Sequence, residues 1–352
     1  MSRFFSSKYQ NLVPYTPGEQ PKDMKYIKLN TNESPYPPSS GVLRLAEGEA
    51  SMLNLYSDPE CTTLTKKLAE RYGVLPSELI VTNGSDEALN FAFMAFCDKD
   101  RGIAFADITY GFYSVFAELN NIDYKIIPLR SDFTIDVNDY MSLDSNIVIA
   151  NPNAPTGISL SKAEIEKLLS ARDDRVVIVD EAYVDFGGES CVDLIHKYDN
   201  LLVTMTFSKS RSMAGARIGF AIGNKELIKD LNTIKYSTNP YNVNRLSQAL
   251  GACAIDEDEY YMNNCLEIIK TREYTKKELE TLGFVCLESK ANFLFAKSEK
   301  ISGKELYLRL KERGVLVRHF DKEKIREFNR ITIGTRHEME ILIKEIKSIL
   351  EA

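Results

Sequence analysis

Val176-Val177-Ile178-Val179-Asp180-Glu181-Ala182-Tyr183 places an acid at the end of an unbroken apolar, mostly β-branched run. A strand of that composition has no face to offer to water. It belongs inside a sheet covered on both sides, which means a mostly parallel sheet flanked by helices. Runs of the same kind flank it on either side in the chain: Leu79-Ile80-Val81-Thr82, Ile103 to Phe105, Tyr124 to Ile127, Ile147-Val148-Ile149-Ala150 and Leu201-Leu202-Val203-Thr204. Helical patterns separate several of them, beginning with Ser85 to Phe96. The fold class is therefore α/β with a mostly parallel central sheet. Ligands of such sheets bind at the carboxyl ends of the strands. Thr82, Ala150, Asp180 and Thr204 mark four of those ends.

Beyond about Tyr241 the pattern changes. A charged helical stretch runs from Asp256 to about Leu282. Gly283 to Ala296 and Arg330 to Gly334 read as strands, and Gly303 to Arg313 and His337 to Leu350 as helices. This is the pattern of a second, smaller α+β domain. No internal repeat, low-complexity segment or linker is evident.

Acidic and basic residues nearly balance, and the chain of 352 residues carries a net charge of −7 with no basic face, which argues against a nucleic-acid partner. The longest purely apolar run, Phe91 to Cys97, is far too short to cross a bilayer, and Met1 to Lys8 lacks the apolar core of a signal peptide. The six cysteines (61, 97, 191, 253, 265 and 286) are scattered without a Cys-x-x-Cys pair, as in a cytoplasmic chain with reduced thiols. His196, His319 and His337 show no zinc-ligand spacing, and no metal is expected.

Chemistry concentrates in Thr206-Phe207-Ser208-Lys209-Ser210-Arg211-Ser212-Met213-Ala214-Gly215-Ala216-Arg217. A lysine in a loop of small and hydroxyl residues is usually a solvated loop residue. Here an arginine follows it by eight positions. The amine can form a Schiff base with an aldehyde cofactor, and Ser208 with Arg217 can hold that cofactor's phosphate. Asn83-Gly84-Ser85-Asp86-Glu87-Ala88 follows a strand and opens a helix, with Gly84 or Ser85 as the cap. Its free N–H groups and helix dipole favour an anion. A carboxylate at the end of the apolar strand, Asp180, is costly unless paired, and a protonated pyridine nitrogen is a fitting partner.

These segments, with Leu29-Asn30-Thr31-Asn32-Glu33-Ser34-Pro35-Tyr36, Thr109-Tyr110-Gly111, Asn153-Ala154-Pro155-Thr156-Gly157 and Arg330-Ile331-Thr332-Ile333-Gly334-Thr335, resemble the fold type I pyridoxal-phosphate aminotransferases. The order of the motifs is most like that of the histidinol-phosphate aminotransferase family, and the likeness runs from about Tyr15 to Thr335. It implies pyridoxal 5′-phosphate bound to Lys209. Ser85, Asp86, Ser208 and Arg217 would surround the phosphate, Tyr110 would stack on the ring, Asp180 would face the ring nitrogen, and Tyr183 would donate to the phenolic oxygen. Tyr15, Asn32, Arg318 and Arg330 would bind substrate, with the arginines as an anion site. Tyr56 would reach the phosphate of a neighbouring subunit, implying a homodimer. The resemblance also implies a small domain built from residues 1–39 and 244–352, around a large domain of residues 40–243.

One position departs from the family. The asparagine that usually precedes Pro-Thr-Gly and bonds the phenolic oxygen is Ala154 here, and Asn153 or Asn151 is expected to replace it. The expected activity is transfer of the amine of L-histidinol phosphate to 2-oxoglutarate, as in histidine biosynthesis. A threonine-phosphate decarboxylase or another amino-acid aminotransferase on the same scaffold is the first alternative. A non-enzymatic cofactor-binding module is the second, disfavoured by the retained Lys209 and by the lack of room for a DNA-binding domain.

Overall fold

The computed structural model describes residues 2–351, so Met1 and Ala352, the outer limits of the expected domain division, lie outside it. Twelve strands form two sheets: β1 Ile27–Leu29, β2 Leu79–Thr82, β3 Ile103–Ala106, β4 Tyr124–Ile127, β5 Asn146–Ala150, β6 Val177–Asp180, β7 Leu201–Thr206, β8 Gly219–Gly223, β9 Phe284–Cys286, β10 Phe293–Ser298, β11 Val315–His319 and β12 Phe328–Thr332. The helices are α1 Ser40–Ala50, α2 Thr62–Tyr72, α3 Ser85–Phe96, α4 Phe112–Asn120, α5 Asn138–Met141, α6 Lys162–Ala171, α7 Lys225–Thr238, α8 Arg245–Asp256, α9 Asp258–Thr281, α10 Gly303–Glu312 and α11 Arg336–Leu350.

The larger sheet has seven strands in the order β2-β8-β7-β6-β5-β3-β4. The run from β4 to β7 is parallel, whereas β8 is antiparallel to both of its neighbours. Its strands alternate between two cores, as period-2 geometry requires. Ile147, Ile149, Val177, Val179, Leu201 and Val203 enter one apolar cluster, and Val148, Ile178 and Leu202 enter the other. Both faces are thus covered. Each such side chain contributes about 1.5–3 kcal/mol by leaving water, which is why these strands are apolar throughout.

The smaller sheet runs β1-β11-β12-β10-β9. Here β1 lies parallel to β11, with Ile27 beside Val315, so a segment from the start of the chain completes a sheet from its end. Leu294, Val317 and Ile331 pack there against Met339, Leu342 and Ile346 of α11. A capping box opens that helix: Glu338 N–H donates to Thr335 Oγ1, and Thr335 N–H donates to Glu338 Oε2.

The single strand expected from Gly283 to Ala296 is two strands, β9 and β10, paired antiparallel. The segment between them is tied away from the ladder. Ser289 Oγ donates to Phe293 O (2.6 Å), and Lys290 N–H donates to Gly157 O (2.8 Å). Gly157 sits at φ +81°, and a Cβ there would meet Ser289 Oγ at 2.4 Å. The Pro-Thr-Gly motif therefore packs the large sheet's loop against the small sheet, and only glycine leaves the room.

Candidate functional site

The carboxyl ends of β5, β6 and β7 deliver Ala150, Asp180 and Thr206 to one cavity of about 230 Å³, whose walls also include Ser85, Asp86, Tyr110, Tyr183, Ser208, Lys209 and Arg217. The loop after β7 makes this possible. The chain turns straight back into antiparallel β8 without a crossover helix, leaving Lys209 over the sheet's end. Lys209 Nζ donates to Thr31 O (3.3 Å) and lies 5.8 Å from the centre of the Tyr183 ring.

At one end is an anion cradle. Gly84 is the N-cap residue of α3, at φ +80° and without a side-chain cap, and Ser85 opens the helix. Ser85 and Asp86 of the uncapped first turn line the cavity, and the free N–H groups and positive dipole end of such a turn favour an anion. Arg217 Nη1 reaches Ser208 Oγ (3.5 Å), and its Nη2 reaches Asp86 Oδ2 (3.1 Å). A Cβ on Gly84 would meet Arg217 Nη2 at 2.6 Å.

Asp180 lies in the floor, 5% exposed. Burial pushes its carboxyl up to about 6, and Asp86 adds to the rise, against hydrogen bonds from Tyr113, Ala182 and Thr204. Tyr113 Oη donates to Asp180 Oδ2 at 2.8 Å. Tyr113, three residues beyond Tyr110 in the first turn of α4, was not legible as a site residue. Tyr110 donates to Asp86 Oδ1 (2.7 Å), and burial, reinforced by that carboxylate, raises its pKa.

A wider cavity of about 570 Å³ adjoins the first and shares Thr31, Tyr110, Ala154, Tyr183 and Lys209 with it. Tyr15, Asn32, Arg318 and Arg330 line it. Arg318 on β11 lies directly opposite Arg330 on β12. Their hydrogen bonds go to main-chain carbonyls, Arg330 Nη2 to Asn30 O at 2.9 Å and Arg318 to Thr16 O and Pro17 O at 3.5 Å, not to carboxylates. Arg330 Nε is buried without a partner, and burial with Arg318 beside it lowers the pKa of Arg330. Tyr15 stacks on Phe112 with ring centres 4.2 Å apart and closes the cavity from the N-terminal arm.

Two expected residues are placed elsewhere. Asn153 is turned out of the cavity. Its Nδ2 donates to Ile108 O (2.9 Å) and Thr156 Oγ1 (3.0 Å), and its Oδ1 accepts from Thr109 (2.8 Å), so the amide is spent on shaping its own loop. Asn151 is likewise held, by both main-chain groups of Leu160. Neither replaces the asparagine missing at Ala154, which lines both cavities. Tyr56 is 81% exposed and stacks on Tyr241, outside its own chain's cavity.

The residues present suit pyridoxal phosphate. A helix N-terminus, a serine and an arginine stand at one end for a dianion. A buried acid stands in the floor for a ring nitrogen, a tyrosine lies to either side, and the amine of Lys209 is within the same walls. Among the described residues no helix is long and apolar enough to cross a membrane.

The sequence matches the family described as aminotransferase class I and II over residues 24–346. A protein of Brachyspira hyodysenteriae named histidinol-phosphate aminotransferase is 50% identical, with 100% of each chain covered. A protein of the same name from Clostridium beijerinckii is 49% identical over 99% of this chain and 98% of that one. The crystal structure of histidinol-phosphate aminotransferase from Sinorhizobium meliloti in complex with pyridoxal-5′-phosphate covers 100% of this chain and 98% of its own. It superposes with a TM-score of 0.91 at 20% identity, a likeness of fold.

Proposed function

The chain belongs to the class I and II aminotransferases, and from that premise we propose that it transfers the amine of L-histidinol phosphate to 2-oxoglutarate with pyridoxal 5′-phosphate bound at Lys209. The observation that supports this substrate best is the pair of facing arginines, Arg318 and Arg330, unmatched by carboxylates and open to the cavity that holds Lys209. The two half-reactions must admit a phosphate monoester and a dicarboxylate in turn. One site of two arginines accepts both, and a dianion uses the pair more fully.

The bound cofactor supplies an aldehyde that takes up the amine and a cationic ring that withdraws electrons from the carbon bearing it. The protein supplies the rest. Asp180 keeps the ring nitrogen protonated, and Tyr113 holds its carboxylate in place. Ser85, Ser208 and Arg217 would anchor the phosphate, and Tyr110 would pack on the ring. Lys209 Nζ, freed when substrate arrives, would take the proton from the carbon bearing the amine and hold it for its return. Tyr15 covers the cavity and excludes water.

Purified enzyme assayed with L-histidinol phosphate and with alanine as donors tests the reading. Losing one charge-assisted contact costs about 1.5–3 kcal/mol, roughly 10- to 150-fold. Arg330→Ala is expected to lower kcat/KM for both half-reactions by that factor. Arg318→Ala is expected to hurt the phosphorylated donor more than alanine. An equal loss with both donors removes the support for a phosphorylated substrate.

The working form proposed is a cytoplasmic homodimer. Leu53, Leu55, Tyr56 and Tyr241 are between 43% and 81% exposed, a cost in a free monomer that a partner would remove. Tyr56, which does not line its own chain's cavity, would then serve the partner's phosphate site. Mixing Lys209→Ala with Tyr56→Ala subunits is expected to restore part of the activity, because one composite site in the heterodimer is intact. No recovery after demonstrated subunit exchange counts against the shared site.

A further inference from the structure

Asn32 stands at φ +56° with no exposed surface, and every polar group of its side chain is bonded. Its N–H donates to Thr332 Oγ1 (3.0 Å), and Asn292 Nδ2 donates to its carbonyl (3.0 Å). The Thr332 hydroxyl donates to Asn32 Oδ1 (3.0 Å), and Asn32 Nδ2 donates to Tyr183 Oη (2.9 Å).

The direction of each bond follows from the first. A main-chain N–H only donates, so Thr332 Oγ1 accepts there and retains one proton to give. Asn32 Oδ1 is the acceptor that takes it. With its oxygen engaged, the amide turns its NH₂ toward Tyr183, whose oxygen must accept. The Tyr183 O–H proton is thereby kept for the cavity, where Lys209 lies 5.8 Å from its ring and Ala154 offers no second donor. Arg330, Tyr15, Tyr110 and Tyr113 are the other titratable groups that feel Tyr183. Thr332 is on β12 with Arg330, so the chain of bonds runs from the small sheet to the lysine's neighbour.

We propose that Asn32, oriented by Thr332, is a positioning residue that fixes Tyr183 as a hydrogen-bond donor toward the phenolic oxygen of bound pyridoxal phosphate. Asn32 therefore acts through Tyr183 rather than on substrate. The proposal rests on the reading that the cofactor occupies this cavity. A donor at the phenolic oxygen stabilises its anion and weakens its hold on the proton shared with the Lys209 nitrogen. Loss of the donor raises the pH at which that proton leaves.

The test is a pH titration of the visible absorbance of substrate-free holoenzyme. Tyr183→Phe is expected to raise the midpoint by about one pH unit or more, the size of one hydrogen bond to a charged group. Thr332→Val, which touches neither cofactor nor tyrosine and changes no charge, is expected to move it the same way, because the amide is then free to turn its oxygen to Tyr183. Thr332→Ser should behave as the parent, and Thr332→Val should add nothing to Tyr183→Phe. Asn32→Asp, tolerant of the left-handed backbone, gives a second reading in the same direction. An unchanged midpoint in Thr332→Val or in Tyr183→Phe overturns the proposal. An absorbance that does not depend on Lys209 at all overturns instead the cofactor reading beneath it.

Discussion

Lys209→Ala is expected to abolish amino transfer, with a loss on the order of 10⁴-fold or more, because in the proposed reaction one amine both joins the cofactor and moves the proton. The rest of the cradle is untouched by the change: Ser85, Asp86, Ser208 and Arg217 keep their places around the phosphate end. The variant should therefore still be stabilised against heat by added pyridoxal phosphate, but release it on gel filtration and lose the visible band of the parent. Kinetics and spectra of the same preparation check this together. Turnover within a factor of ten of the parent would show that another group is the amine.

Asp180→Asn is expected to have opposite effects on activity and on the stability of the cofactor-free protein. Removing one partner of a buried ion pair costs about 3–5 kcal/mol, so kcat/KM should fall roughly 10²- to 10⁴-fold. Without cofactor, the carboxyl's pKa in the folded protein is raised from 3.8 to about 6 by burial. An acid with a raised folded pKa stabilises the fold while protonated. That stability is complete below pH 3.8 and is lost as pH rises through about 6. At pH 8 the ionised group then costs the cofactor-free protein on the order of 3 kcal/mol. The asparagine variant is free of this penalty. Its Tm relative to the parent should rise between pH 5 and pH 8, and the gain should vanish once cofactor pairs with the parent's carboxylate. A Tm difference independent of pH would mean that Asp180 is ionised at no cost, held by Tyr113 and the strand end alone.

What could be read from the sequence follows from where each signal lies. β2, β3, β5, β6 and β7 announced themselves because burial on both faces demands continuous apolar runs, a local property, while β4, half-exposed at the edge of the sheet, showed only a short mixed run. β1 and β8 did not announce themselves. β1 is three residues whose reason to be a strand is β11, almost the whole chain away. β8, Gly219 to Gly223, has glycine at both ends and gains its extended form from pairing with β7. The site shows the same division. Lys209, Asp180 and Arg217 stand in motifs whose chemistry is suggested by residue type and spacing, whereas Arg330 was marked only by the family resemblance. The use of Asn153 was misplaced because its partners, Ile108 and Thr109, approach only in the folded chain. The bonds through Tyr113 and Asn32 were hidden for the same reason: donor and acceptor polarity is settled by neighbours distant in sequence.

The pairing of β1 with β11 also has a consequence for how the protein is made. Thr31 and Asn32, which bond Lys209 and Tyr183, come just after β1, and β12 holds this stretch through Arg330, which donates to Asn30 O, and Thr332, which bonds Asn32. A ribosome that has finished the whole seven-stranded sheet has still delivered no working centre. The arm emitted first must wait, unpaired, until nearly the last residues appear, and such distant closures are slow. Interrupted synthesis thus yields no partly competent catalyst: an incomplete chain can display its lysine, but not the wall against which that lysine is set.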